Sequence, residues 1–325
     1  MTIDKPRFYN DRTRRPDNFH KDSPKTPEPY VADKAGELIR AVNLAILLER
    51  PLLIEGEAGC GKTCLAKAVA YELGYPFYRW DVQSTAKVRD GLYTYDAVLR
   101  LHDVQLGELK MEKPRDPSKS KDYLDYGALG KAFISDRPAV VLIDEIDKAD
   151  LDFPNDLLGV LDDWKFSIPE TKTEIRAKHK PIVIVTSNKE KGNLPAPFLR
   201  RCLYFYLEFP KTSEALEKIV EDHYQVKQEI AAHRVETERS TAISPDPELV
   251  KEAVEGFLKI REDTSLYKKP GTSEFLDWLK VLQTYLPTPF DANQLKSQIQ
   301  SSATAPYREV LFKHRSDWLK YRPAQ

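Results

Sequence analysis

Cysteine is scarce: Cys60, Cys64 and Cys202 are the three present in 325 residues, too few for a disulfide framework. Cys60 and Cys64 stand four apart, but no second His or Cys pair completes a metal site around them, and they read as small packing residues. Long apolar runs are also missing, and nothing approaches the roughly 20 residues of a membrane-spanning helix. Met1 to Pro29 is polar, rich in Pro and Arg, and lacks the apolar centre of a secretory signal, so a cytoplasmic location is expected. Neither sign of charge dominates: 50 Lys and Arg stand against 51 Asp and Glu. Without a basic excess to neutralise a phosphate backbone, a dedicated nucleic-acid binder is disfavoured, although a local basic patch is not. What remains is a soluble globular chain with 31% charged and 41% hydrophobic residues, long enough for two domains with sizeable cores.

The most informative segment present is Gly56-Glu57-Ala58-Gly59-Cys60-Gly61-Lys62-Thr63. It fits the phosphate-loop pattern G-x-x-x-x-G-K-[ST] and lies between an apolar run, Pro51 to Glu55, and a helical run starting near Lys62. Glycines let the backbone approach an anion closely and point successive N–H groups at it. Lys62 would reach the terminal phosphates, and Thr63 would place its hydroxyl on Mg²⁺. The positive end of the following helix would face the same phosphates, with Cys64 next to the contacting run.

The remainder reads as an α/β fold, a parallel sheet followed by a smaller all-helical domain. Residues 1–29 form a disordered or extended arm, and 33–50 a helix with Leu38, Ile39, Val42, Ala45 and Ile46 on one face. Strands are expected at 77–82, 139–143, 181–186 and 203–207, with helices at 64–73 and 128–135. Between 84 and 126 the pattern weakens, as an insertion would. A β-hairpin is expected around Thr171-Lys172, and after Lys211 only helical periodicity continues. The domains are therefore drawn at 30–210 and 211–325.

Ligands of such sheets gather at the carboxyl ends of the strands. Asp144 and Glu145 follow one strand; Asp144 would hold Mg²⁺ through its water shell, and Glu145 would polarise the water that attacks the γ-phosphate. A helix-capping Asp with a solvated neighbour is the competing reading. Asn188 follows the next strand and could hydrogen-bond the attacking water or the γ-phosphate. Arg200 and Arg201 precede the last strand, where a guanidinium could stabilise phosphoryl charge in a neighbouring subunit.

With these motifs in this order, the chain resembles AAA+ ATPases and, within them, the MoxR-type branch. Gly56 to Thr63 matches Walker A, Val140 to Glu145 Walker B, Asn188 sensor 1, and Arg200 or Arg201 the arginine finger. The insertion before Ala128 and the hairpin at 165–177 look like the helix-2 insert and pre-sensor hairpin of that branch. The resemblance implies an AAA+ core with a helical lid, Mg²⁺-dependent ATP hydrolysis, and a ring, usually hexameric, with nucleotides between subunits. It also implies client proteins that are remodelled or activated, often with a partner carrying a von Willebrand factor A domain, and adenine contacts near Tyr30 and Val31. Tyr93 and Tyr95, in the insertion, read as packing within the domain, with contact to a client as the competing reading. One departure stands out: where the family's sensor 2 arginine begins a lid helix, this chain has Glu274. That motivates an alternative, a nucleotide-regulated assembly module with little turnover, beside a third reading as a nucleic-acid translocase.

Overall fold

The apolar runs of the sequence become the centre of a parallel sheet. The computed structural model describes residues 9–10, 15–28, 30, 36–108, 115–188, 194–232, 244–285, 289–302 and 304–322. The elements begin with α1 (Glu37–Leu48), β1 (Leu52–Gly56), α2 (Lys62–Leu73) and β2 (Phe77–Asp81). There follow α3 (Val88–Leu92), β3 (Tyr93–Tyr95), α4 (Ala97–Glu108), β4 (Leu124–Tyr126), α5 (Ala128–Ile134) and β5 (Val140–Asp144). Next come α6 (Phe153–Asp163), β6 (Lys165–Ile168), β7 (Thr173–Arg176), β8 (Ile182–Ser187), α7 (Ala196–Leu199) and β9 (Leu203–Leu207). The chain closes with α8 (Ser213–Ala232), α9 (Pro247–Glu262), α10 (Thr272–Thr284), α11 (Ala292–Ser302), α12 (Arg308–Leu311) and α13 (Arg315–Lys320).

The five-stranded sheet runs in the order β2-β5-β8-β1-β9. Pairing is parallel from β2 through β5 and β8 to β1. Every residue of β1, β5 and β8 is buried, as parallel strands covered on both faces require. The register sets Asp81 of β2 opposite Asp144 of β5, and Glu55 of β1 opposite Ser187 of β8, so polar residues collect at one end of the sheet.

By chain contacts the protein divides into two units: residues 1–25, 33–55 and 69–205, and residues 26–32, 56–68 and 206–325. The first has a core of Leu53, Val141, Ile143, Val183 and Val185 from the strands, with Phe133, Phe153, Leu157, Trp164 and Phe198 around them. Its N-terminal residues form neither helix nor strand among those described. They are nonetheless tied down: Tyr9 is buried and exchanges hydrogen bonds with Asn43, while His20 N–H donates to the Gly74 carbonyl. The segment expected to be an insertion holds α3, β3, α4 and β4, with β3 and β4 paired antiparallel. Tyr93 is core there, its ring stacked on Phe166 and its hydroxyl donating to Glu170 at 3.1 Å. Tyr95 receives a bond from Arg100. The hairpin β6–β7 stands immediately before β8, with Lys172 at φ 53 in its turn.

In the second unit α8 to α13 enclose a separate core of Leu216, Val220, Ala253, Phe257, Phe275, Trp278, Leu279 and Leu295. The apolar stripe of α9, from Leu249 and Val250 through Ala253, Val254 and Phe257 to Ile260, has helical spacing and is buried along its length. Asp246 caps α9 by accepting from Glu248 N–H, and Pro247 fits the first turn, where no donor is needed. Among the described residues no helix is long and apolar enough to cross a membrane.

Candidate functional site

The phosphate loop, in the second unit, follows directly from the buried strand β1. Its turns depend on glycine at two places: Gly59 has φ 77 and Gly61 φ 94, left-handed conformations that other residues adopt at a cost. A Cβ on Gly59 would lie 2.9 Å from Ser273 Oγ, and one on Gly61 3.2 Å from the Tyr30 ring. Tyr30 is thus brought to the loop, while Val31 lies outside the described residues. Lys62 opens α2 and is buried, its Nζ donating to the carbonyls of Gly56 at 2.7 Å and Glu57 at 2.8 Å. The ammonium therefore sits inside the loop that it would serve. Burial pushes the Cys60 thiol above its usual range, against the opposing pull of Lys62, which keeps it protonated. Glu57, Ala58 and Gly59 are exposed, while Cys60, Thr63 and Cys64 are half-buried.

The carboxylates of the first unit are held by strand β8. Thr186, fully buried, donates its hydroxyl to Asp144 Oδ1 at 2.6 Å and accepts the Glu145 N–H at 2.8 Å. One side chain thereby fixes both acids. Asp144 Oδ2 lies 2.9 Å from Arg79 of β2. Glu145 takes φ 59, ψ 51, which turns its side chain off the strand direction. Its Oε1 accepts from Asn188 Nδ2 at 3.1 Å, and its Oε2 pairs with Lys148. Asn188 N–H in turn donates to Asp147 at 3.1 Å. Asp144, Glu145 and Asn188 are thus one hydrogen-bonded group, with Glu145 supplying a carboxylate and Asn188 an amide at the carboxyl ends of adjacent strands.

The two arginines differ. Arg201 Nε is shared by both oxygens of Asp162 at 3.0 and 2.9 Å, and its Nη1 donates to the Pro197 carbonyl. Arg200, at the end of α7, is exposed, and no ion pair holds its guanidinium among the described residues. Glu274 serves its own helix, since its Oε2 accepts the Gly271 N–H at 3.0 Å and so seals the first turn of α10. Sequence reading did not single out Arg79, Lys148 or Arg261. Arg79 carried a faint signal, since β2 neighbours the acidic strand, but Arg261 reaches Glu57 across 204 residues of chain.

Residues 51–202 match the family described as AAA domain (dynein-related subfamily). NtrX from Brucella abortus in complex with ATP is similar in structure, with a TM-score of 0.50 and 15% identity over 88% of this chain and 60% of that one. Its complex with ADP gives 0.50 and 15% over 87% and 60%. The Holliday junction branch migration motor RuvB of Thermotoga maritima gives 0.48 and 13% over 86% and 72%. The chain therefore spans about 60% of the length of the NtrX structures. No curated protein matches it in sequence. Fold and motifs together define a P-loop protein of the AAA+ type. More particularly, the segment 51–202 matches an AAA domain of the dynein-related description.

Proposed function

We propose that this chain hydrolyses MgATP as a ring-forming, MoxR-like AAA+ ATPase that remodels or activates client proteins. The observation that carries the hydrolytic part is the bond from Asn188 to Glu145, on a carboxylate whose backbone Thr186 holds in place. A carboxylate so positioned can take a proton from water, and the amide beside it can orient that water toward a γ-phosphate. Thr63 and Asp144 offer hard oxygen donors of the kind Mg²⁺ takes, a cation that keeps most of its shell as water and phosphate oxygen and needs few protein ligands. When bound, Mg²⁺ would neutralise charge on the phosphates. Lys62 would turn from the Gly56 and Glu57 carbonyls to the phosphates, and Tyr30 would flank the base.

The branch is supported by two features: the β3–α4–β4 segment between β2 and α5, and the β6–β7 hairpin immediately before β8. Arg200 is the better candidate for a finger acting on a neighbouring copy, because Arg201 is committed to Asp162 within its own chain. A client, with or without a von Willebrand factor A partner, would complete the assembly.

The decisive variant is Glu145→Gln. It should bind MgATP within about threefold of wild type and lose turnover by about 100-fold or more; unchanged turnover refutes the role given to Glu145. Mixing Glu145→Gln with Arg200→Ala subunits should restore part of the turnover if the finger acts in trans, and sedimentation with a slowly hydrolysed ATP analogue should show the ring. Failure to assemble at any concentration would remove the shared site.

A further inference from the structure

Glu57 is chemically out of place. It is the second residue of a loop whose ligand carries several negative charges, and its carboxylate is 46% exposed. Alone, it would repel the phosphates that Lys62 and the loop amides attract. The structure supplies a counterweight in Arg261, near the end of α9, whose side chain is only 8% exposed. Its Nη2 donates to Glu57 Oε2 at 2.6 Å, its Nη1 donates to the Pro270 carbonyl, and its guanidinium lies over the Phe209 ring, 3.5 Å from the centroid. Phe209 and Pro270 fix the guanidinium without cancelling its charge. Among the described residues, the carboxylate it meets is that of Glu57.

The same contact reaches further into the loop. The Glu57 carbonyl is one of the two that hold Lys62, so the residue pinned by Arg261 also bears the resting ammonium. Pro270 precedes Gly271, where a Cβ would stand 2.8 Å from the Ala58 carbonyl and 3.1 Å from the Gly59 Cα. Arg261 thus grips the loop at Glu57 and the segment that packs on Ala58 and Gly59.

We infer that Arg261 is a positioning residue of the nucleotide site, acting through Glu57: it neutralises and holds the acid so that a phosphate loop with a carboxylate at its second position accepts a polyphosphate. This rests on the loop being a nucleotide site. Charge compensation makes a demand that a merely structural pair does not, namely that removing the acid should repair the loss of the base.

Equilibrium binding of MgATP and MgADP at low salt provides the test. Arg261→Met should weaken both by about tenfold, and the double variant Glu57→Gln/Arg261→Met should return to within about threefold of wild type. Glu57→Gln alone, an exposed change in a surface loop, should bind at least about twofold tighter than wild type, a gain that fades as salt screens the unopposed guanidinium. The inference is overturned if Arg261→Met binds like wild type, or if the double variant binds no better than Arg261→Met. Should Arg261→Met fail to fold, Glu57→Gln decides alone, and binding no tighter than wild type overturns it. A wild-type protein that binds no MgATP would instead remove the nucleotide reading itself, an outcome that Lys62→Ala, expected to lose binding, keeps distinct.

Discussion

Thr186→Val is nearly isosteric and removes one oxygen from a fully buried place, so its cost can be worked from two hydrogen bonds. The first, from the Thr186 hydroxyl to Asp144 at 2.6 Å, is charge-assisted and worth about 1.5–3 kcal/mol. The second, from Glu145 N–H to the same oxygen at 2.8 Å, is neutral and worth about 1 kcal/mol. Because Thr186 is 0% exposed, water is poorly placed to replace either partner, and a sum of about 2.5–4 kcal/mol is expected. Glu145 also has φ 59, a conformation disfavoured for a residue with a side chain, and the lost bond is one that holds it there. Turnover should therefore fall together with stability. The assay is urea unfolding followed by the fluorescence of Trp80 and Trp164, both in the core of that unit, with Thr186→Ser as control. Serine keeps the hydroxyl and loses a methyl, costing about 1 kcal/mol. If valine destabilises no more than serine, Thr186 does not hold the two acids, and the account of the site is wrong at its base.

Burial, and then Lys227, push His223 down to about 4, with Asp277 pulling weakly the other way. The unfolded chain, with its imidazole near 6.5, takes up the proton first; stability is therefore full above about pH 6.5 and falls toward pH 4, by at most about 1.4 kcal/mol per unit. Thermal melts from pH 7 to 4.5 should show this slope, and His223→Asn should flatten it. Trp278 is fully buried, and its Nε1 donates to the Pro306 carbonyl at 2.7 Å. Trp278→Phe should cost about 3 kcal/mol, from an unpaired carbonyl and the space left by the smaller ring, read from helical circular dichroism in urea.

The central strands β1, β5 and β8 were legible because each is a short apolar run ended by polar residues: 140–144 carries no charge before Asp144, and 182–187 carries none. The phosphate loop was legible because its glycine spacing is a backbone requirement, visible here as φ 77 and 94. The segment between β2 and α5 was not. Its strands are three residues long and exist through pairing across some thirty positions, Tyr93 with Tyr126 and Tyr95 with Leu124. Helix α4 even inverts the usual pattern, burying Asp103 at 1% exposure beneath the Tyr123 hydroxyl while Val98 stands 79% exposed. Periodicity cannot announce a helix whose buried anchor is an acid.

Glu274 and Arg261 show how a departure in sequence is read differently in space. A carboxylate where a lid arginine was expected suggests a weakened grip on the phosphates. In the structure Glu274 instead completes the first turn of α10 by accepting from Gly271, a local duty that a cation could not perform. An arginine still meets the phosphate loop, from α9, and it meets an acid of the loop, the pair together adding no net charge. Any coupling between nucleotide and helical domain in this chain then has a ready carrier: phosphates that draw Lys62 from the Glu57 carbonyl act on the residue whose carboxylate Arg261 holds. The loss of a direct cation at the head of α10 is therefore no argument against coupled hydrolysis. Glu57→Gln breaks this link while sparing Glu145 and Asn188, so it should lower turnover even as MgATP binding tightens if the helices govern the rate.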